Sequence, residues 1–276
     1  MKNETLNLLR CPTCNASVVS SENGKSLFCT GARRHCFDFS KSGYLNLAGP
    51  HGGAGDLKEA VRARTLFLNA GYYEPLSLSI NRILDQYGAS TVLDAGCGEG
   101  YYTNRMSEVA KNVIGADLSV AGVDSAAKAS KQIGAADFVV ASLFRLPVAD
   151  ESLDAVTSIF APCAEEEFDR ILKKQGILIL VGAGRDHLLG LKEVLYDDAY
   201  TNVGRSDLPQ SMTLLGQERL TYEITVEGRA RIDALFSMTP YYWRTSERDR
   251  AKLSQLQSLA TMVDFDIYIY RKEFDK

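Results

Sequence analysis

The sequence predicts an α/β fold: a doubly wound, mostly parallel sheet with a small cysteine-rich head at the N-terminal side. Three observations carry this. Apolar runs of strand length alternate with helical spacings between residues 91 and 181. The first of those runs, Val92-Leu93-Asp94-Ala95, opens into glycines at alternate positions, Gly96, Gly98 and Gly100. Four of the six cysteines fall within the first 36 residues.

Length and composition bound the rest. A chain of 276 residues, 45% apolar and 24% charged, has enough material for one catalytic-sized domain with a sizeable core and a small attachment. The division is set at residues 1–50 and 51–276. No apolar run approaches the ~20 residues that span a bilayer, and the polar start Met1-Lys2-Asn3-Glu4 leads into no signal-peptide core. A cytoplasmic protein without membrane contact is therefore expected, with its cysteines as thiols, ligands or catalysts rather than disulfides. Residues 1–50 carry a formal charge of +3 and the remainder −7, within a total of −4. A basic head on an acidic body suits contact with a polyanion at one end, although such a surplus is also common on plain solvated surfaces.

In the head, Cys11-Pro12-Thr13-Cys14 forms a C-x2-C knuckle. Residues 18–27 read as two short strands about Asn23-Gly24, a pair favoured in type I′ turns, and this hairpin returns Cys29 toward the knuckle. His35 or Cys36 follows six or seven residues later. Three sulfurs and a fourth soft donor are what tetrahedral Zn2+ requires, since each must reach within ~2.0–2.3 Å of the metal. Buried free thiols would leave so many cysteines in a nearly coreless segment unexplained. Residues 43–47 then read as a short strand, and the glycine-rich stretch 49–55 as a linker or mobile loop.

From Asp56 the spacing of Leu57, Val61, Leu66 and Leu68 predicts a helix whose polar face carries Lys58, Arg62 and Arg64. Those arginines suit either phosphate or solvent. Gly71-Tyr72-Tyr73-Glu74-Pro75 breaks the helix, and residues 76–87 form another that leads into the strand before the glycines. Glycines leave the backbone bare, so a ligand meets no Cβ, and they take positive φ at little cost. Asp94, Gly96, Gly98 and Gly100 are thus the candidate ligand cradle, with a spacing that differs from the dinucleotide fingerprint G-x-G-x-x-G. Residues 113–117 form the next strand. Its last residue, Asp117, lies 23 positions beyond Asp94, near the spacing at which an acid accepts ribose hydroxyls. The other role for Asp117 is to cap the helix beginning at Val120.

Strands at 138–142 and 152–160, a helix at 164–174 and a strand at 177–181 complete an alternation that demands parallel crossovers. His187 follows at the carboxyl end of that last strand, on the same rim as the glycines, which makes it a site candidate. Residues 220–226 and 265–270 alternate as an antiparallel closing pair, and 232–236 read as helix. The cluster Tyr241-Tyr242-Trp243-Arg244 suits base stacking or the edge of a core.

Taken together these stretches resemble the bacterial 23S rRNA (guanine-N1)-methyltransferase family. The resemblance rests on the cysteine head ending in Arg34-His35-Cys36-Phe37-Asp38, on Lys41-Ser42-Gly43-Tyr44-Leu45-Asn46-Leu47, and on Ala63-Arg64 with Phe67-Leu68-Asn69-Ala70-Gly71-Tyr72-Tyr73. Residues 93–103, Ala161-Pro162-Cys163, Arg185-Asp186-His187, and Met238-Thr239-Pro240 with Trp243-Arg244 continue it over nearly the whole chain. It implies a Rossmann-like domain of the class I methyltransferase type behind a zinc-ribbon-like head. It places structural Zn2+ on Cys11, Cys14, Cys29 and His35, and S-adenosyl-L-methionine on Tyr73, Gly98, Glu99 and His187. It implies a 23S rRNA hairpin as partner, with a homodimer as a possible assembly. Relatives in this fold often carry an acid near position 142 for the adenine amino group. Ala141-Ser142 stand there instead, so backbone and apolar packing are expected to hold the adenine.

The chemistry implied is methylation of guanine N1 within a hairpin loop. N1 carries a proton in the neutral base, so the enzyme must orient the base, accept that proton and keep the pocket dry. The metal then has no water to activate and serves structure in an RNA-binding head. Pro162-Cys163 is similar to the nucleophile pair of cytosine-C5 methyltransferases, but a nitrogen lone pair needs no covalent adduct. The alternatives are a zinc-ribbon RNA-binding protein with a non-catalytic methyltransferase fold, and a small-molecule methyltransferase.

Overall fold

The computed structural model describes residues 1–49 and 55–273. Residues 50–54 of the expected linker, and with them the boundary at 50/51, lie outside the described residues.

The chain begins with a helix that the sequence did not signal, α1 (Asn3–Leu8). The hairpin follows as β1 (Val18–Ser20) and β2 (Ser26–Cys29), paired antiparallel with Val18 opposite Cys29, and β3 (Cys36–Asp38) adds a third strand beside β2. The next strand, β4 (Leu45–Asn46), joins the large sheet instead of the head.

The body runs α2 (Lys58–Leu68), α3 (Glu74–Gln86), β5 (Thr91–Ala95), α4 (Tyr101–Met106), β6 (Asn112–Asp117), α5 (Val120–Ile133), β7 (Asp137–Val140), β8 (Leu153–Ile159), α6 (Glu165–Ile171) and β9 (Leu172–Ala183). It closes with α7 (Leu189–Leu195), β10 (Thr213–Glu227), α8 (Arg229–Ser237), α9 (Glu247–Leu253) and β11 (Ser258–Arg271). The eight strands lie in the order β10-β11-β9-β8-β5-β6-β7-β4. From β4 to β9 all neighbours are parallel, while β11 is antiparallel to β9 and β10. This is the Rossmann-like arrangement of class I methyltransferases. The order reverses at β5, whose carboxyl end is the switch point where such sheets bind ligands.

Helices cover both faces, so the central strands read as nearly unbroken apolar runs: Val92, Leu93, Leu178, Ile179, Leu180 and Val181 are all fully buried. Pro75 in the first turn of α3 suits a position whose N–H lacks an intrahelical acceptor. The closing strands β9, β10 and β11 run longer than the expected 177–181, 220–226 and 265–270, and one helix is shorter than expected. The helix expected through residue 174 stops at Ile171, because Leu172 already pairs with Leu153 and the strand then shifts register before Ile177. Periodicity alone did not reveal this, since Lys173, Lys174 and Gln175 are polar and exposed on a strand bulge.

The head shares its core with the body. Leu9, Cys11, Val18, Leu27 and Cys29 pack in one cluster with Leu143, Leu146 and Val148. The Arg10 N–H donates to the Pro147 carbonyl at 2.9 Å, and the Thr5 hydroxyl donates to Asp137 Oδ2 at 2.7 Å. Among the described residues no helix is long and apolar enough to cross a membrane.

Candidate cofactor site and metal cluster

The turn between β5 and α4 takes positive φ at Gly96, Gly98 and Gly100, with values of 84°, 53° and 79°. The N–H groups of Gly96 and Cys97 both donate to the Ala116 carbonyl, which ties the turn to β6. Neighbouring protein accounts for these glycines as much as a ligand would. A Cβ at Gly96 would come within 2.4 Å of Ala161 Cβ, and one at Gly100 within 2.7 Å of Ala126 Cβ. One at Gly98 would meet the Arg64 guanidinium at 3.4 Å.

Asp117 stands half-buried at the end of β6. Its Oδ2 accepts the Gly98 N–H at 3.0 Å and its Oδ1 the Ser119 N–H at 2.7 Å, so two backbone donors hold the carboxylate on the rim beside the glycines. The helix cap belongs to Ser119, whose hydroxyl accepts the Gly122 N–H at 3.0 Å. That assigns the capping role to the neighbour and leaves Asp117 available for a ligand.

The acids of the turn are separated in function by burial. Asp94 is 2% exposed and accepts the hydroxyls of Thr103 at 2.5 Å and Thr157 at 2.8 Å. Desolvation lifts its carboxyl to about 6 despite those bonds. It therefore braces the turn from beneath, tying α4 and β8 to β5, rather than facing a ligand. Glu99 is also buried, and desolvation raises its pKa against the opposing pull of Arg64. The Arg64 Nε donates to Glu99 Oε2 at 2.5 Å, and Nη2 to Asp56 Oδ2 at 2.5 Å. So Arg64 turns inward onto the glycine turn rather than outward to solvent or phosphate.

Along the rim, an aromatic wall surrounds His187. Tyr73 is buried, with its hydroxyl 3.3 Å from His187 Nε2 and its ring edge-on to Phe67 and Phe265 at 5.1 and 5.0 Å. Phe160, at the end of β8, lies 5.9 Å from His187 and is 46% exposed, with φ at 54°. Positive φ is costly for a bulky side chain, and such strain clusters at functional sites. His187 Nδ1 accepts the Asp264 backbone N–H at 3.2 Å, which leaves the ring proton on Nε2 toward Tyr73. Desolvation holds the imidazole neutral, pushed down to about 4.

Asp264 underlies this arrangement. It is fully buried, accepts from Arg219 Nε and Nη2 at 2.7 and 2.6 Å, and also binds the Thr221 hydroxyl and the Asp186 N–H. The Arg219 bonds bring its carboxyl down to about 2. Sequence reasoning missed Arg64, Phe160 and Asp264 as site residues. The available signal for the last was a pair of acids, Asp264 and Asp266, within the otherwise apolar run of residues 262–270. Beside the rim, burial pushes the Cys163 thiol up to about 11, which argues against a thiolate there.

The second cluster lies in the head. One donor atom each from Cys11, Cys14, Cys29 and His35 falls within 4.8 Å of the others. The Cys14 and Cys29 sulfurs are 3.7 Å apart, and His35 Nδ1 lies 3.5 Å from Cys11 Sγ and 3.3 Å from Cys29 Sγ. Donors at the bond lengths of tetrahedral zinc would stand ~3.4–3.8 Å apart, close to these three separations, so the donor set suits one such ion. Burial raises the Cys29 thiol, but N–H groups of His35 and Gly31 outweigh it and bring the thiol down to about 6. Cys36 is exposed on β3, its sulfur 3.9 Å from Asp38 Oδ1 and apart from the cluster.

Residues 93–180 match the methyltransferase domain family. YxjB of Bacillus subtilis strain 168, named provisionally as a 23S rRNA (guanine-N1)-methyltransferase, is 34% identical over 96% of this chain and 97% of its own length. The 23S rRNA (guanine(748)-N1)-methyltransferase of Streptomyces fradiae is 29% identical over 91% of each chain.

Proposed function

The chain belongs to the 23S rRNA (guanine-N1)-methyltransferase family, and from that premise we propose that it methylates N1 of a guanine in a 23S rRNA hairpin loop, using S-adenosyl-L-methionine. The observation that carries this is similarity to relatives so named over 96% and 91% of the chain. The head, residues 1–50, contacts the RNA and holds one structural Zn2+ on Cys11, Cys14, Cys29 and His35. Residues 51–276 hold the cofactor and the target base.

S-adenosylmethionine supplies an electrophilic methyl group on a sulfonium. Asp117 accepts the ribose hydroxyls, and the turn Gly96–Gly100 carries the nucleoside across the switch point. Tyr73 and His187, buried beside the turn, border the cofactor's place, and Phe160, 46% exposed at the end of β8, offers a flat base a ring to stack on. His187 keeps its proton at Nε2 and offers it as a hydrogen-bond donor; with a pKa near 4 it does not collect the proton that leaves guanine N1.

The test is transfer of radiolabelled methyl from the cofactor to rRNA of a strain lacking the gene, followed by mapping of the product. Methylation at N1 of a single guanine supports the proposal. Label that stays off RNA, or that passes to small molecules alone, refutes it.

A further inference from the structure

We propose that Arg64 binds the carboxylate of the S-adenosylmethionine methionine, and that the Asp56 side chain occupies that carboxylate's place until cofactor displaces it. This rests on the reading of the glycine turn as the cofactor site.

The argument begins with charge. The turn is flanked by acids, Glu99 within it and Asp117 beside it. They suit the ligand's ammonium and sulfonium, but they repel its carboxylate, which therefore needs a cation within reach. Arg64 is the cation in contact with the turn, its Nη2, Cζ and Nε all 3.4–3.7 Å from the point where a Cβ on Gly98 would stand. A guanidinium presents donors on more than one edge. Glu99 takes Nε and locks the group in position, since its own carboxylate is only 6% exposed. Nη2 points to Asp56, a partner of a different kind.

Asp56 is 46% exposed at its side chain and accepts from Arg64 alone among the hydrogen bonds of its carboxylate that the structure shows. It arrives there because its backbone is seated on the start of α5: the Ser119 hydroxyl donates to the Asp56 carbonyl at 3.2 Å, and Gly55 lies so close to Ser119 that a Cβ would stand 2.4 Å from its Cα. A tethered carboxylate thus sits on the outer edge of a guanidinium whose inner edge is fixed to the turn. Removing it costs little, because an exposed ion pair is weak, and a ligand carboxylate replaces it with equal charge. Nearby, the Tyr102 hydroxyl is buried within electrostatic reach of Glu99 and has no hydrogen-bond partner among the described residues, as a site awaiting a polar ligand would.

The experiment is calorimetric titration of the full chain with two ligands, S-adenosylhomocysteine, which has the amino-acid end, and 5′-methylthioadenosine, which lacks it. Arg64→Met is expected to weaken S-adenosylhomocysteine at least tenfold and to leave 5′-methylthioadenosine within about threefold. Asp56→Asn alters an exposed side chain, so the fold is expected to hold; it should tighten S-adenosylhomocysteine severalfold and leave 5′-methylthioadenosine unchanged. Equal weakening of both ligands by Arg64→Met would mean that Arg64 only braces Glu99, and would overturn the proposal. Unchanged or weaker S-adenosylhomocysteine binding by Asp56→Asn would overturn it too. Failure of the unaltered protein to bind either ligand would instead remove the cofactor site itself.

Discussion

The head and the body bury very different amounts of apolar surface. Before β4 enters the large sheet, the fully buried aliphatic side chains are Leu9 and Leu27, and both pack in the cluster shared with the body. The body buries Val92, Leu93, Ile114, Val139, Val156, Leu178, Ile179, Leu180 and Val181 completely in its parallel strands, before any helix is counted. Burial of one large aliphatic side chain is worth about 1.5–3 kcal/mol, so the body closes on hydrophobic area alone. The head cannot do so, and small units in that position rely on a staple. In the proposed reading, Zn2+ held by the four gathered donors Cys11, Cys14, Cys29 and His35 supplies it. The difference teaches that the two regions should fail separately.

The largest expected effect tests that separation directly. Zinc is expected at one ion per chain by elemental analysis, and structural zinc sites contribute on the order of 10 kcal/mol to the fold around them. Cys29→Ser, or a strong chelator, should release the metal and abolish amide-exchange protection in β1, β2 and β3 while β5, β8 and β9 keep theirs. Persistence of that protection without metal would show that packing against Leu143, Leu146 and Val148 suffices.

A smaller loss is expected in the body. Gly100 has φ at 79°, and a Cβ there would stand 2.7 Å from Ala126 Cβ and 3.0 Å from the Phe138 ring. Gly100→Val should cost about 3 kcal/mol through overpacking and backbone strain, read as a lower denaturant midpoint with zinc content unchanged. Loss of zinc in the same variant would mean that head and body unfold as one unit.

Two buried groups should give the body opposed pH responses of about 3 kcal/mol each, since one pKa unit is worth about 1.4 kcal/mol. Asp94 is raised to about 6, so its contribution is complete below pH 4 and is lost as pH rises through 6. His187 is lowered to about 4, so its contribution is present above its ordinary value of 6.5 and is lost as pH falls toward 4. Between pH 4 and 7, Asp94→Asn should gain stability relative to the unaltered protein as pH rises, and His187→Gln should gain as pH falls. Parallel urea titrations would expose either sign as wrong.

The smallest effect concerns binding. Asp117→Ala should weaken S-adenosylmethionine by ~1–3 kcal/mol through lost charge-assisted contacts, with no change in zinc or in thermal midpoint beyond a few degrees. Unchanged affinity would return Asp117 to the two N–H groups it already holds.

Much of this organisation is legible in the chain because local patterns suffice for it. The run Val92-Leu93-Asp94-Ala95 followed by alternating glycines signals strand, turn and helix start, as β5 and α4 bear out, and Asn23-Gly24 makes a hairpin that carries Cys29 back to the knuckle. The ligand spacing and the β-α alternation are likewise readable within windows of a few dozen residues. The short strand at 43–47 is readable too, but its partner is not, because Leu45 and Asn46 pair with Val139 and Val140 far along the chain, and nothing near them says which edge they will join.

What only the tertiary structure decided is the set of partners that distance in sequence conceals. Arg64 reads as a solvated helix charge until Glu99 and Asp56 are seen on its guanidinium. His187 reads as a lone histidine until Asp264, Tyr73 and Phe160 close around it from three other segments. The sequence alone determined which residue types stood at the rim, since apolar periodicity and glycine spacing are local consequences of backbone sterics and burial. Which of them are desolvated, which tautomer His187 holds and which acid faces a ligand depend on charges and donors brought together through space, and those exist only once the sheet has formed.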